Sequence, residues 1–129
     1  MIYAAILILA LLLNRSCKES LLLTLVVGIS VLIPMQYVTN YHIWYALCIG
    51  IEIAKIVLAS SFKTRIKYPI IFLCGLMVMC HFISYFISFI EPYRIILPSL
   101  EYLEIASCAL FSKPILYKLK RMIRWTHYK

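Results

Sequence analysis

The stretch IWYALCIGIEIAKIVLASSF, residues 43–62, is the segment from which the rest of the chain is best interpreted. It is long enough to cross a bilayer, because about 20 apolar helical residues span the hydrocarbon core. Yet Glu52 and Lys55 lie near its middle, where a lysine costs roughly 2.5–3.5 kcal/mol to insert. The two residues are three apart and therefore share one side of a helix. We expect that side to face protein rather than lipid.

The composition of the whole chain is that of a membrane protein. Of its 129 residues, 64% are hydrophobic and 14% are charged, whereas a soluble domain has about 45–50% apolar and about 25% charged residues. The apolar runs are continuous rather than alternating, which favours helices over a β-barrel. The predicted fold class is therefore an all-α, polytopic helical membrane protein.

Five segments are predicted to span the membrane, at residues 1–13, 20–37, 43–62, 68–90 and 95–112. The first has 13 residues, a rise of about 20 Å against a hydrocarbon core of roughly 30 Å. If it is only half-inserted, four spans remain.

The first segment lacks a basic n-region and a small-residue cleavage site, so we expect it to be retained. Residues 1–112 are predicted to form one bundle, followed by a tail at 113–129.

The positive charges alternate between the two ends of the predicted helices. Lys and Arg number 2, 0, 3, 1 and 6 in the four joints and the tail, in that order. The positive-inside rule then places the N-terminus outside and the C-terminus in the cytoplasm. Tyr and Trp cluster at the two outer joints, as expected at headgroup level. The pattern is typical of a bacterial inner membrane, and no organelle signal is visible.

Ionisable side chains recur at one depth in three predicted spans. Glu52, His81 and Glu104 each lie nine residues from the outer end of their segment, which is about 14 Å and close to the bilayer midplane. Lys55 lies a turn nearer the cytoplasm and Glu101 a turn nearer the outside. Two hypotheses stay open for these five residues. They form a proton or cation pathway, or a buried polar network that fixes helix register.

Small residues spaced four apart are predicted to let helices approach closely. One pair is Thr24 and Gly28 in the second segment. The other set is a small-residue stripe of Ala46, Gly50 and Ala54 in the third segment, which points mostly away from the charged side. The third segment is therefore expected to have two buried faces, one charged and one for close packing.

The tail is predicted to be a basic amphipathic helix lying on the membrane surface. Pro114 suits a first helical turn, and apolar residues recur on one face over 115–123. Its basic residues are predicted to bind anionic lipid headgroups: Lys113, Lys118, Lys120, Arg121 and Arg124. An acidic protein partner is the alternative. A nucleic-acid partner is not predicted, because the patch is small and its charge is nonspecific.

Motifs of enzymes and cofactor sites are not found. The chain has no nucleophile elbow, no H-E-x-x-H and no P-loop, and its five Cys show neither metal nor disulfide spacing. A non-enzymatic protein without metal or cofactor is predicted. Its short length, minimal loops and cationic tail resemble phage and small bacterial membrane proteins, holins among them.

Three functions are consistent with this pattern. The first is an assembly or interaction subunit of a membrane complex that packs against copies of itself or a partner. The second is an oligomeric ion or proton channel or transporter that uses Glu52, His81 and Glu104. The third is a holin-like, membrane-permeabilising protein of phage type.

Overall fold

The computed structural model describes residues 1–30, 41–87 and 90–127, and this part of the chain is helical without any strand. It forms α1 (Ile2–Leu13), α2 (Lys18–Ser30), α3 (Tyr41–Ser61), α4 (Lys67–Ile87), α5 (Ile90–Leu110) and α6 (Lys113–His127). The predicted all-α class is confirmed. The end of the second predicted span and most of the outer joint after it, at 31–40, lie outside the described residues.

Two of these helices are long and apolar enough to cross a membrane, His42–Ser61 within α3 and Lys67–Phe86 within α4. A third candidate exists if α5 and α6, bent by 68° from each other, are counted as one broken span. The helix α1 has only 12 residues, and α2 is described over 13. The described chain therefore contains two or three candidate spans, whereas five spans were predicted. Charged residues and Pro98 make α5 a weaker candidate by itself.

The boundaries of α5 and α6 follow from local chemistry. Pro98 lies inside α5, where it removes one backbone hydrogen-bond donor. The helix ends at Leu110, and the Ser112 carbonyl accepts the Leu116 N–H at 3.0 Å to begin the next helix. Pro114 then fits the first turn of α6, where its missing N–H is not needed. The chain consequently changes direction between these two helices.

The helix α5 lies at the centre of the bundle. It packs against α4 and α1 and also contacts α2, while α3 packs mainly on α4 and touches α2. The helix α6 contacts the end of α5 and buries none of its described residues. The buried apolar core draws on all of the first five helices: Ala10, Leu23, Val27, Ala59, Ile66, Ile70, Cys74, Met77, Ile105, Cys108 and Ala109.

The helices α1 and α2 approach closely at Gly28. A Cβ atom at this position would lie 2.5 Å from Leu7 Cδ1 and 2.9 Å from Leu7 Cδ2. Thr24, one turn earlier, is buried and donates its hydroxyl to the Ser20 carbonyl at 2.7 Å. The Tyr3 hydroxyl donates to the Gly28 carbonyl at 3.5 Å. The predicted small pair therefore lies in an interface between helices of the same chain.

We expect Gly28→Ala to leave the free energy of unfolding nearly unchanged. Alanine usually stabilises a helix interior by roughly 0.5–1 kcal/mol over glycine, but here the new methyl must displace the end of Leu7. In a Leu7→Ala background the full gain should return. Gly75→Ala, where nothing lies within 4 Å of the added Cβ, should show the gain in both backgrounds. Unfolding in a denaturing detergent measures the free energy of unfolding of each variant. An equal effect of Gly28→Ala in both backgrounds would contradict the close contact between Gly28 and Leu7.

The small-residue stripe of α3 faces outward. Ala46, Gly50 and Ala54 are all exposed, and nothing lies within 4 Å of a Cβ built at Gly50. The opposite side of the helix is turned inward because Lys55, only 2% exposed, reaches carboxylates there. Within one chain, α3 therefore buries its charged face and exposes the stripe, rather than burying both faces as expected.

Candidate functional site

A lysine and two glutamates meet in the interior of the bundle. Lys55 Nζ donates to Glu104 Oε1 at 3.1 Å and to Glu104 Oε2 at 3.0 Å. It also lies 2.9 Å from Glu52 Oε2 on its own helix. Lys55, Glu52 and Glu104, which we call the charge cluster, are 2%, 7% and 0% exposed. Ionisable groups this deeply buried are stable only when they are paired.

Three helices supply the charge cluster and its nearest donor. The i, i+3 spacing in α3 puts Glu52 and Lys55 on one side of that helix, and α5 presents Glu104 to them. From α4, the Cys74 thiol donates to Glu104 Oε1 at 3.1 Å. The Lys55–Glu104 pair thus joins α3 to α5. Apart from this pair, both helices pack against α2 and α4 more than against each other.

The two carboxylates of the charge cluster are bound unequally. Both oxygens of Glu104 accept hydrogen bonds from Lys55. Glu52 Oε2 lies at ion-pair distance from the same ammonium, but it is buried and has no partner in hydrogen-bond geometry within the described chain. The cluster contains two acids and one base, so its groups carry one negative charge in excess when all three are ionised.

At the charge cluster, three described side chains are also spaced closely enough to hold a metal ion. One ligand atom each from Glu52, Cys74 and Glu104 lies within 4.8 Å of the others. The Lys55 ammonium is 2.9 Å from Glu52 and 3.0 Å from Glu104, so a fixed positive charge already lies between the carboxylates. A metal ion would have to displace it. The arrangement therefore favours an ion pair over a metal centre.

The structure places His81 and Glu101 outside these ion pairs. His81 is buried on α4, and its ring centroid lies 6.1 Å from that of Trp44 and 6.2 Å from that of Tyr45, edge to face in both cases. Glu101 is half-buried on α5, one turn before Glu104. The predicted layer is thus divided between the charge cluster and a histidine among aromatic rings.

Aromatic side chains gather where α3 begins and α4 ends. His42 Nδ1 and the Tyr85 hydroxyl are 2.8 Å apart. The Tyr45 ring packs edge to face with Trp44 at 5.1 Å and with Tyr85 at 5.7 Å. These residues belong to the two joints that the sequence assigns to the outer interface, and the structure brings the two groups into contact.

The predicted headgroup-binding residues all lie on α6 and are all exposed: Lys113, Lys118, Lys120, Arg121 and Arg124. Large apolar side chains of the same helix are exposed as well. Leu119, Met122 and Ile123 show between 50% and 66% of their surface. The described part of the chain therefore leaves both kinds of side chain on α6 uncovered.

The roles of Asn14 and Cys74 were not predicted from the sequence. Asn14 is 2% exposed, and its Nδ2 donates to the carbonyls of Ala10 and Cys108, both at 2.8 Å. An Asn directly after an apolar run is a typical helix C-terminal signal, which could have identified its local role. Its partner in α5 is 94 residues away and leaves no trace in the local pattern. Cys74 is indistinguishable by sequence from an ordinary small apolar residue.

The chain matches no protein-family model, no curated protein and no solved structure.

Proposed function

We propose that this protein is a small, non-enzymatic subunit of a membrane complex that acts by assembly or interaction. The observation that carries the proposal is the bidentate Lys55–Glu104 ion pair. In this pair, the buried positive charge of α3 and a buried negative charge of α5 neutralise each other. In a bilayer, where lipid is as apolar as a leucine side chain, polar contacts and close packing hold helices together. The charge cluster then fixes how these helices pack.

Several features support the proposed membrane placement, with five spans or four if α1 is half-inserted. In the described part of the chain, two or three helices are long and apolar enough to cross a membrane. The two joints and the tail that the sequence assigns to the cytoplasm lie side by side, since Cys17, Thr64 and Lys113 line one pocket. The exposed apolar and basic side chains of α6 suit a helix lying on an anionic leaflet. We place the N-terminus outside and the C-terminus in the cytoplasm of a bacterial inner membrane.

The exposed stripe of α3 is the surface that we assign to assembly. Ala46, Gly50 and Ala54 would let the backbone of another helix approach closely. No described helix of the same chain takes that position, since nothing lies within 4 Å of a Cβ at Gly50. We infer that a second copy, or a helix of a partner membrane protein, packs there.

The oligomeric state in a mild detergent tests this assignment. Gly50→Leu is expected to weaken self-association by about tenfold or more, an effect of about 1.4 kcal/mol. Gly75→Leu is the matched control, because nothing lies within 4 Å of a Cβ at that position either. Light scattering coupled to size-exclusion chromatography measures the oligomeric state of the wild type and of the two variants. A monomeric wild type, or equal weakening by both substitutions, would contradict self-association through the stripe.

An oligomeric channel or transporter for protons or cations is the alternative function. It is favoured by the excess carboxylate of the charge cluster and by the buried Glu52 Oε2, which has no hydrogen-bond partner among the described residues. Flux into liposomes separates the two functions. As an assembly subunit, the chain should give no flux, or flux that Glu52→Gln and Glu104→Gln leave unchanged. Flux that these variants abolish would instead establish transport, and abrupt depolarisation on expression would favour a holin-like lesion.

A further inference from the structure

A pocket of about 380 Å³ opens at the end of the bundle opposite the aromatic rings. Three separate parts of the chain line it. They are the joint between α1 and α2, the joint between α3 and α4, and the start of α6, which bends away from α5 by 68°. The bend holds α6 beside the two joints and leaves the space between them.

The polar lining of this pocket is strongly basic. Lys63 and Arg65 come from the joint between α3 and α4, and Lys113 and Lys120 come from α6. All four are exposed, and no acidic residue is among the described residues that line the pocket. Tyr117 adds a hydroxyl from α6. Four cations from two segments far apart in sequence, with no counter-ion among the described lining residues, create a local excess of positive charge that attracts an anion.

The joint that carries two of these cations is held in place by α2. The Lys63 backbone N–H donates to Glu19 Oε2 at 2.8 Å, and the hydroxyls of Ser20 and Thr64 are 2.5 Å apart. The nearby acid Glu19 is therefore engaged by the backbone of the joint, while the cationic side chains remain available. A binding site whose backbone is fixed in advance loses less conformational entropy when a ligand binds.

The remaining wall is apolar. Phe111 and Leu116, at the bend, line the same pocket as Arg65 and Lys113. A planar guanidinium and an ammonium together suit phosphate oxygens, and an apolar wall beside them suits the carbon skeleton to which the phosphate is attached. We propose that this pocket binds a phosphate-bearing anion, and that in the membrane this anion is the headgroup of an acidic phospholipid. The lipid source rests on the proposed membrane placement, whereas the phosphate chemistry does not.

Binding to the full-length chain in detergent tests the pocket. Phosphatidylglycerol is titrated in mixed micelles, with phosphatidylcholine as the lipid without net charge and inorganic phosphate as the soluble probe. The double variant Arg65→Gln/Lys113→Gln removes two charges from the pocket. The control Arg15→Gln/Lys18→Gln removes one arginine and one lysine charge from exposed positions that do not line it.

We expect saturable binding of phosphatidylglycerol that the pocket variant weakens by at least about tenfold, the equivalent of one hydrogen bond to a charged group. The control should change it by less than about twofold, as for an exposed charge. Saturable binding of inorganic phosphate alone, with the same dependence on the pocket variant, would support the site with a soluble ligand. Equal weakening by both variants, or no saturable binding of either probe, would overturn it.

Cys17 provides a second measurement that needs no charge substitution. It lines the pocket, and hydrogen bonds from the Ser20 side chain and backbone lower the pKa of its thiol, which favours reaction with maleimide. Phosphatidylglycerol or phosphate should slow this alkylation severalfold, with Cys17→Ser reporting the background from the other cysteines. An unchanged rate under saturating ligand would place the anion elsewhere and overturn the proposal. A monomeric chain would contradict assembly through α3 without affecting this result.

Discussion

Replacing Lys55 with methionine is expected to lower the free energy of unfolding by roughly 3–5 kcal/mol, the usual effect of removing one partner from a buried ion pair. The substitution keeps a long unbranched side chain but removes the ammonium that contacts both Glu52 and Glu104. Two carboxylates that are 7% and 0% exposed would then lie close together without a counter-ion. The loss of helix signal during a denaturing-detergent titration in mixed micelles measures the effect.

Two further variants make the result for Lys55 specific. Lys118→Met removes the same charge from an exposed position on α6 and should change stability by no more than about 0.5 kcal/mol. The exchanged pair Lys55→Glu/Glu104→Lys restores opposite charges between α3 and α5 and should recover part of the loss. If Lys55→Met proves as mild as Lys118→Met, the ion pair does not hold these helices together.

Replacing Asn14 with alanine is expected to lower the free energy of unfolding by about 1–3 kcal/mol, because a buried acceptor loses its donor. The Asn14 amide bonds the Ala10 carbonyl and the Cys108 carbonyl, both at 2.8 Å. The Ala10 carbonyl also accepts the Asn14 backbone N–H at 3.0 Å, so it keeps a partner in the variant. The loss therefore falls mainly on Cys108, and with it on the attachment of α1 to α5.

A shape-conserving variant tests that explanation. Asn14→Asp keeps the size of the side chain, removes its donor and brings a carboxyl group to two carbonyl oxygens, so it should destabilise at least as much as alanine. Ser16→Ala, two residues later at an exposed position, is the control and should stay within about 0.5 kcal/mol. Hydrogen exchange should show faster opening of α1 than of α4. A stable Asn14→Asp protein would contradict the role of the donor.

The helices themselves were largely predictable from the sequence. The segment predicted at 43–62 is found as Tyr41–Ser61, the one at 68–90 as Lys67–Ile87, and the tail at 113–129 as Lys113–His127. Long apolar runs and the polar joints between them define such boundaries strongly. The number of membrane spans was less well defined, because a 12-residue helix and a helix with several charges do not meet the requirement for a span on their own.

The charge cluster was predictable only in part. The spacing of Glu52 and Lys55 placed both on one side of α3, which the structure shows. The choice of Glu104 as the main partner of Lys55 depends on how α3 and α5 are rotated about their axes, and depth along a helix carries no information on rotation. For the same reason, an equal depth for His81 did not reveal that its ring faces Trp44 and Tyr45.

The separation of Lys55 and Glu104 along the chain, 49 residues, has a consequence for biogenesis. In the proposed membrane placement, α3 leaves the ribosome and reaches the insertion machinery before α5 has been synthesised. During that interval Glu52, on the same helix, is the acid that can neutralise Lys55. In that placement Glu52 would act as the temporary counter-ion of Lys55 while α3 enters the membrane. The arrival of α5 in the membrane would then complete the pairing of Lys55 with Glu104.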